Sequence, residues 1–424
     1  MRETVSLDSQ EQARLVVLGR VDRGELTAVA AAELLGLSER QVRRLLAGYR
    51  HEGAAAVAHG NRGRPSTRAL DPAVRARVVA LARTTYAHCN HQHLSELLAE
   101  REGIVLSRSS LRRVLLTAGV PTPRKRRAPK HRSRRDRMAQ EGMLLQIDGS
   151  RHAWLGDQRP MLTLIGAIDD ATGTVPHALF REQEDAHGYF LLLEKIVTTP
   201  GYGRPLAIYR DRHGIFERST KDPETLAEQL TGQREPTQFG RLLQELDITA
   251  ISARSPQAKG RIERLWGTFQ DRLVAELLLA GAETLTDANA VLPSFLKRFN
   301  ARFYVFSQLC GTDYRPLAPG MVAAELFCFK YLATVANDNT VTFAGQQLQL
   351  LPGPGGRSYA RTRVQVHERL DGSLAVFYEG RCLTATVAPP TAPVLRARGN
   401  ARPQIPAPIH FRRRLVPAPA GPRR

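Results

Sequence analysis

The sequence predicts a multidomain chain, with α-helical helix-turn-helix units at the N-terminus, a central α/β core on a mixed sheet, and a small β domain towards the C-terminus. Three observations carry this. Helical periodicity with capping signals fills roughly the first 120 residues. Apolar strand-length runs alternate with helical patterns from Met143, and short alternating runs between glycine turns begin near Val335. A length of 424 residues leaves room for about three domains, each with its own core.

From Leu26 the chain reads LTAVAAAELLGLSERQVRRLLAGYR: an apolar helix, a break at Gly36, and a second helix opened by Ser38. Ser38 and Gln41 have the spacing of a capping box. Val42, Leu45 and Leu46 then face inward while Arg40, Gln41, Arg43 and Arg44 point outward, the way a recognition helix is offered to a major groove. A small helical bundle with a solvated basic face would show the same charge pattern. A second helical unit follows the basic connector GNRGRPS. Asp71 and Pro72 read as N-cap and first helical position, and Ser107 caps a helix whose outward face carries Arg108, Arg112 and Arg113. Two such units in series could cover a longer double-stranded DNA site than one.

Residues 124–137 carry nine Lys or Arg against one acid, with prolines before and within, and are expected to form a solvated linker. Beyond it, MLLQID and MLTLIGAID read as strands, the second followed by a DDATG turn and a third strand, TVPHALF. A helix is expected from about Gln183 to Val197. PLAIYRD then reads as a buried strand ending at an acid, PTQFGRLLQELD as a helix, ITAIS as a strand and SPQAKGRIERLWGTFQDRLVAELLLA as a long helix. The alternating runs after Val335 predict a barrel-like antiparallel domain.

Lys and Arg outnumber Asp and Glu by 61 to 41, a net charge of +20, which favours a polyanionic partner. The linker run and the acid-free, Pro- and Arg-rich tail from Pro389 supply eight surplus charges each, where they can track phosphates without reading bases. No run approaches the roughly 20 apolar residues that span a membrane, and MRETVSLDSQEQ is too polar for a secretory signal, so no membrane partner and a cytoplasmic location are expected. The four cysteines form no CxxC pair. His88, Cys89, His91 and His93 lie too close together for the two separated ligand pairs of a usual zinc site.

Asp148 ends the first strand of the core and Asp211 ends LAIYRD, so the two can meet if their strands are neighbours. With Ser255 as cap and Pro256 at the first helical position, Glu263 falls about two turns into the long helix. Lys259, Glu263 and Gly267 then share one face. Carboxylates in such a group are the hard oxygen donors that two Mg2+ or Mn2+ ions select, and a metal pair suits phosphodiester chemistry. Taken singly, an acid at a strand end is weak evidence. Asp169 and Asp170 also end a strand, but their DDATG context predicts a turn role.

The segments QIDGSRHAWL, LTLIGAIDDATG, EDAHGYFLLLEK, LAIYRDRHGIF and above all ARSPQAKGRIERLWGTFQDRL resemble the integrase-type catalytic core of DDE transposases, especially the bacterial ISNCY insertion-sequence group. The resemblance covers about residues 26–305. It implies a ribonuclease H-like core in which Asp148, Asp211 and Glu263 are the catalytic and metal-holding triad, with Mg2+ or Mn2+ as two ions per site. It also implies that Gln257, Lys259 and Gly260, matching the motif before the glutamate, contact DNA or shape the site. The implied reaction frees a 3′-hydroxyl at an element end and joins it to target DNA, which calls for at least a dimer on two ends. His213 and Gly214 stand where integrases often have Asn-Gly, and the step from Asp211 to Glu263 is longer than in retroviral integrases, through an insertion around ERSTKDPETLAEQLTGQ.

The expected domains are a helix-turn-helix unit at 1–66, a second at 67–120, a basic linker at 121–140, the catalytic core at 141–305, a connector at 306–334, the β domain at 335–388 and a disordered tail at 389–424. A transposase acting on double-stranded DNA is the expected function. A DNA-binding regulator or decayed transposase is the alternative, and a ribonuclease H-type nuclease would leave the tandem N-terminal readers unexplained.

Overall fold

A computed structural model describes residues 6–59, 69–121, 135–218, 223–232, 234–253 and 259–388. The chain divides into two compact units, Met1–Lys125 and Arg126–Arg424.

The first unit is helical. α1 (Ser9–Asp22) and α2 (Ala28–Leu35) precede α3 (Glu39–Glu52), with Leu18, Ala31, Val42 and Val57 in their shared core. Ser38 accepts the Gln41 amide as N-cap, and Gly36 ends α2 at φ 62°, where a side chain would be strained. Only the Ser38 half of the expected capping box is present. α1 was not foreseen from the pattern. It is fixed by a complete capping box between Asp8 and Glu11, and the buried Glu11 also accepts the His59 amide at 2.8 Å. The second helical group is α4 (Pro72–Arg83), α5 (His91–Glu102) and α6 (Arg108–Thr117). Asp71 and Ser107 cap α4 and α6 as expected, and Val78, Leu94, Leu98, Leu111 and Leu115 are buried.

The second unit begins with β1 (Leu144–His152), β2 (Leu162–Asp169), β3 (Ala178–Arg181), α7 (Ala186–Thr198) and β4 (Ala207–Arg210). There follow α8 (Leu226–Thr231), α9 (Gln238–Glu245), β5 (Thr249–Ser252), α10 (Gly260–Leu279) and α11 (Leu285–Phe303). The five strands form one mixed sheet in the order β3-β2-β1-β4-β5. β2 runs antiparallel to β1 and β3, whereas β1, β4 and β5 run parallel. Every residue of β2 is buried, as a strand covered on both faces requires. One face packs α10 and α11 through Leu164, Phe180, Ile262, Trp266, Phe269 and Phe295. The other packs α7 and α9 through Leu145, Ile147, Tyr189, Phe190, Phe239 and Leu242. α10 is described from Gly260, which places Glu263 in its first turn instead of the second; Ser255, Pro256 and Gln257 lie outside the described residues.

α12 (Ala323–Leu326) leads into β6 (Cys328–Thr334), β7 (Thr340–Phe343), β8 (Gln346–Leu350), β9 (Arg363–Arg369), β10 (Leu374–Tyr378), β11 (Arg381–Leu383) and β12 (Ala385–Val387). These make two sheets, β11-β10-β9-β6 and β12-β8-β7, around Val335, Val341, Leu348, Val366 and Val376. A single barrel is not what forms. β6 starts at Cys328, ahead of the expected boundary at 335, because it pairs with β9 from Cys328↔Arg369 to Thr334↔Arg363. β6 also seats the domain on the core. Phe329 stacks on Phe190 at 4.6 Å, and Lys330 Nζ meets the Glu245 carboxylate at 2.8 Å.

Residues 122–134 of the expected linker, and the tail from 389, are outside the described residues. The end of the linker is tied to the core, although Arg135 and Asp136 stay exposed. Arg135 pairs with Asp170, and the Met138 amide donates to the same carboxylate at 2.9 Å. A buried acid at the end of β2 supplies the anion that draws this stretch of chain down.

Candidate active site

Strand alternation sends Gln146, Asp148 and Ser150 of β1 to the face covered by α10. All three meet that helix. Gln146 Oε1 accepts the Ile262 amide at 3.3 Å, and Ser150 Oγ accepts from Gln270 Nε2 at 3.3 Å. Asp148 is held at both oxygens, by Lys259 Nζ at 2.7 Å on Oδ1 and by Trp266 Nε1 at 3.1 Å on Oδ2.

Asp211 arrives from the next strand. The parallel register Gln146↔Tyr209 brings the end of β4 alongside Asp148, and Asp211 follows directly. Its Oδ1 accepts the His213 amide at 3.0 Å, the fold of a short turn, and its Oδ2 lies 3.9 Å from Lys259 Nζ. One largely buried ammonium therefore faces both aspartates. Lys259 is the N-cap position of α10 and not a residue of its face, but the side chain reaches the carboxylates nonetheless.

Glu263 is exposed in the first turn of α10, where the helix N-terminus favours a negative charge. It has no hydrogen bond or ion pair with a described residue. Among the described residues no group of three or more His, Cys, Asp or Glu side chains gathers closely enough to hold a metal ion. The structure thus brings Asp148 and Asp211 together on Lys259 and leaves Glu263 on the flank. Gly260 opens the helix beside them, Gly267 has open space around its Cα, and Gln257 is outside the described residues.

Sequence reasoning did not anticipate three neighbours. Trp266 serves as a hydrogen-bond donor to Asp148 as well as a core residue. Glu184 lies against the backbone of Gly149, where an added Cβ would come within 2.7 Å of its carboxyl carbon. The buried Tyr189 donates to Glu184 Oε1 at 2.5 Å. Burial, and then the charges of Glu184, Asp148 and Asp211, hold that phenol well above its ordinary pKa. The third neighbour is Asp170. Asp169 does make the expected turn, accepting the Ala171 and Thr172 amides at 3.0 and 2.8 Å, but Asp170 turns away into a buried ion pair. The one signal for Glu184 was its position just before the Asp185 cap of α7.

On the helical unit, Arg40, Gln41, Arg43 and Arg44 are exposed on α3, Arg43 pairing with Glu39. Arg108, Arg112 and Arg113 are exposed on α6. Cys89, His91 and His93 are buried and gather no metal-holding group among the described residues.

Residues 14–76 match the winged helix-turn-helix family. The chain is 37% identical over 381 residues to y4bF, a protein of Sinorhizobium fredii classed as a transposase, covering 89% of this chain and 81% of that one. It is 33% identical over 327 residues to the transposase for insertion sequence IS1202 of Streptococcus pneumoniae, covering 69% of this chain and 68% of that one. The chain belongs to the transposases of insertion sequences. As such the transposase binds DNA, and its winged helix-turn-helix match and the outward basic residues of α3 fall in the same segment. A solved simian T-cell lymphotropic virus intasome, in complex with PP2A regulatory subunit B56 gamma, overlaps 74% of this chain and 100% of its own at 15% identity. With a TM-score of 0.31 that superposition is too loose to argue from. No described helix of the transposase is long and apolar enough to cross a membrane.

Proposed function

We propose that the transposase cuts DNA at element ends and joins the freed 3′-hydroxyls to target DNA. Asp148, Asp211 and Glu263 would hold two Mg2+ or Mn2+ ions on a ribonuclease H-like core. The observation that carries this reading is the convergence of Asp148 and Asp211, from adjacent parallel strands, on one cation at the start of the helix that bears Glu263. Two carboxylates already sharing a positive charge fit a divalent ion, whose preferred donors are hard oxygens. Once bound, such a pair supplies an activated oxygen nucleophile and relieves charge on the leaving oxygen. The strand order β3-β2-β1-β4-β5, with β2 alone antiparallel to the rest, supports the ribonuclease H-like reading.

The chain's own groups divide the work. Asp148 is oriented by the Trp266 indole, so its free lone pairs keep one direction. The turn that donates the His213 amide to Asp211 holds the second carboxylate at the strand end. Lys259 offsets part of the charge of the two acids, and its ammonium would pair with a scissile phosphate. Gly260 and Gln257, flanking it, would shape the approach of DNA. Arg40, Gln41, Arg43 and Arg44, with Arg108, Arg112 and Arg113, would read and grip the element ends. Acting on two ends would require at least two copies of the chain.

The test is Asp148→Asn with a DNA end substrate and Mg2+. Cleavage and joining should fall by at least about a hundredfold, the upper end of what losing even a supporting partner of a metal ligand costs, while end binding persists. Undiminished joining sinks the triad. The flanking position of Glu263 favours one second reading, a DNA-binding member of the family without catalysis. Wild-type protein that binds ends but neither cuts nor joins them would establish that reading instead.

A further inference from the structure

Asp170 is fully buried just past the end of β2, yet none of its side-chain partners makes a turn. Its Oδ1 accepts from Arg261 Nε at 2.8 Å and from Gln146 Nε2 at 2.8 Å, and Arg135 also pairs with it. Its Oδ2 accepts the Met138 amide at 2.9 Å. These partners come from three places. Gln146 is on β1, two residues before Asp148. Arg261 is in the first turn of α10, between Lys259 and Glu263. Arg135 and Met138 belong to the chain that enters the core from the basic run.

The contacts close into a loop. Gln146 donates through its amide nitrogen to Asp170 and accepts the Ile262 amide on its oxygen, while Arg261 Nη2 donates to the Arg135 carbonyl at 3.1 Å. Helix first-turn amides have no partner within the helix, so Ile262 relies on Gln146, and Gln146 is oriented by Asp170. An uncompensated buried carboxylate is strongly unfavourable, which ties all three segments to one arrangement.

We propose that Asp170 is a positioning residue, which locks the first turn of α10 in register with Asp148 and uses Arg135 as part of that lock instead of as a DNA contact. This rests on the reading of α10 as the helix that carries the catalytic glutamate. It also divides the basic run, whose last arginines serve the core while those before Arg135 remain for DNA.

The test compares Asp170→Asn and Arg135→Ala in the full chain. Hydrogen exchange read on peptides covering residues 259–264 should speed up about tenfold in both, with α7 and α11 unchanged. At saturating DNA the cleavage rate should fall tenfold or more, with the Kd for DNA within twofold of wild type. The double variant should be no worse than the worse single one. Unchanged exchange at 259–264 overturns the proposal, as does weaker DNA binding by Arg135→Ala with normal cleavage at saturation. Should Asp170→Asn fail to fold by circular dichroism, Arg135→Ala, which alters a half-exposed side chain, still decides. Faster exchange in a protein whose wild type shows no cleavage would sink the catalytic reading alone and leave the lock standing.

Discussion

Gly166 stands directly across the β1–β2 ladder from Asp148, and its missing side chain makes room for the indole that donates to that aspartate. A Cβ at Gly166 would lie 3.0 Å from the end of the Trp266 ring and 3.1 Å from the Ala178 methyl. Gly166→Ala therefore requires the Trp266 ring or Ala178 to give by a few tenths of an ångström, and a shift of the ring would disturb its bond to Asp148. A stability loss of about 1–3 kcal/mol is expected from overpacking, read as a lower denaturation midpoint. Cleavage should fall more than that loss of folded protein accounts for. Wild-type cleavage and an unchanged tryptophan emission spectrum would show that the ring does not orient the carboxylate.

Lys259→Met removes the ammonium that Asp148 and Asp211 share. Two carboxylates relieved of a competing cation should bind Mn2+ several-fold more tightly in calorimetry, since opposite charges at such distances are strongly coupled. DNA cleavage should nonetheless drop about tenfold to a hundredfold through loss of a cation aimed at phosphate. Weaker Mn2+ binding would mean that Lys259 holds the two acids in place instead of competing for them.

Two imidazoles make stability depend on pH. Burial lowers both His177 and His367 to a pKa of about 4, and His367 stacks on Phe377 at 4.0 Å. Their unfolded pKa is about 6.5. A depressed folded pKa means that the stabilising neutral form is fully present above pH 6.5 and is lost as pH falls towards 4. The thermal midpoint should drop by several degrees over that window, as about 1 kcal/mol or more would produce. His367→Phe should flatten the drop; an unchanged slope would place the titration elsewhere.

Arg44→Ala tests the recognition helix. If this exposed side chain on α3 contacts a phosphate, binding weakens for all sequences and the salt slope falls by about 1. If it contacts a base, one position of the end sequence loses about 1–3 kcal/mol of discrimination. Filter binding against salt and against substituted ends separates the two, and no change in either removes Arg44 from the interface.

Much of this architecture was legible locally. Ser38, Asp71 and Ser107 are caps whose signals lie within three residues of the helices they open, and the strands of Asp148 and Asp211 are apolar runs of the right length. α1 carried only one local signal, the spacing of Asp8 and Glu11; its other fixing contact, the buried Glu11 accepting the His59 amide, joins positions far apart in sequence. The same limit hid Trp266, Glu184 and Asp170. Each acts through a partner on a different element, and an indole or carboxylate announces nothing about the distant group it will meet. Lys259 was placed beside the acids for an incomplete reason: the expected helix face does not contain it, and the length of its side chain makes the connection.

The pairing of β4 with β5 runs from Ala207↔Thr249 to Arg210↔Ser252, so the segment carrying α8 and α9 leaves and re-enters the sheet at a pinned doorway. Lengthening a loop between fixed ends costs only about 0.6 kcal/mol for each doubling. The stretch beside the aspartates can therefore be rewritten by insertion or deletion while their spacing stays under the control of the ladder. An element under pressure to recognise new ends has, at this point of the fold, room to vary without placing its chemistry at risk.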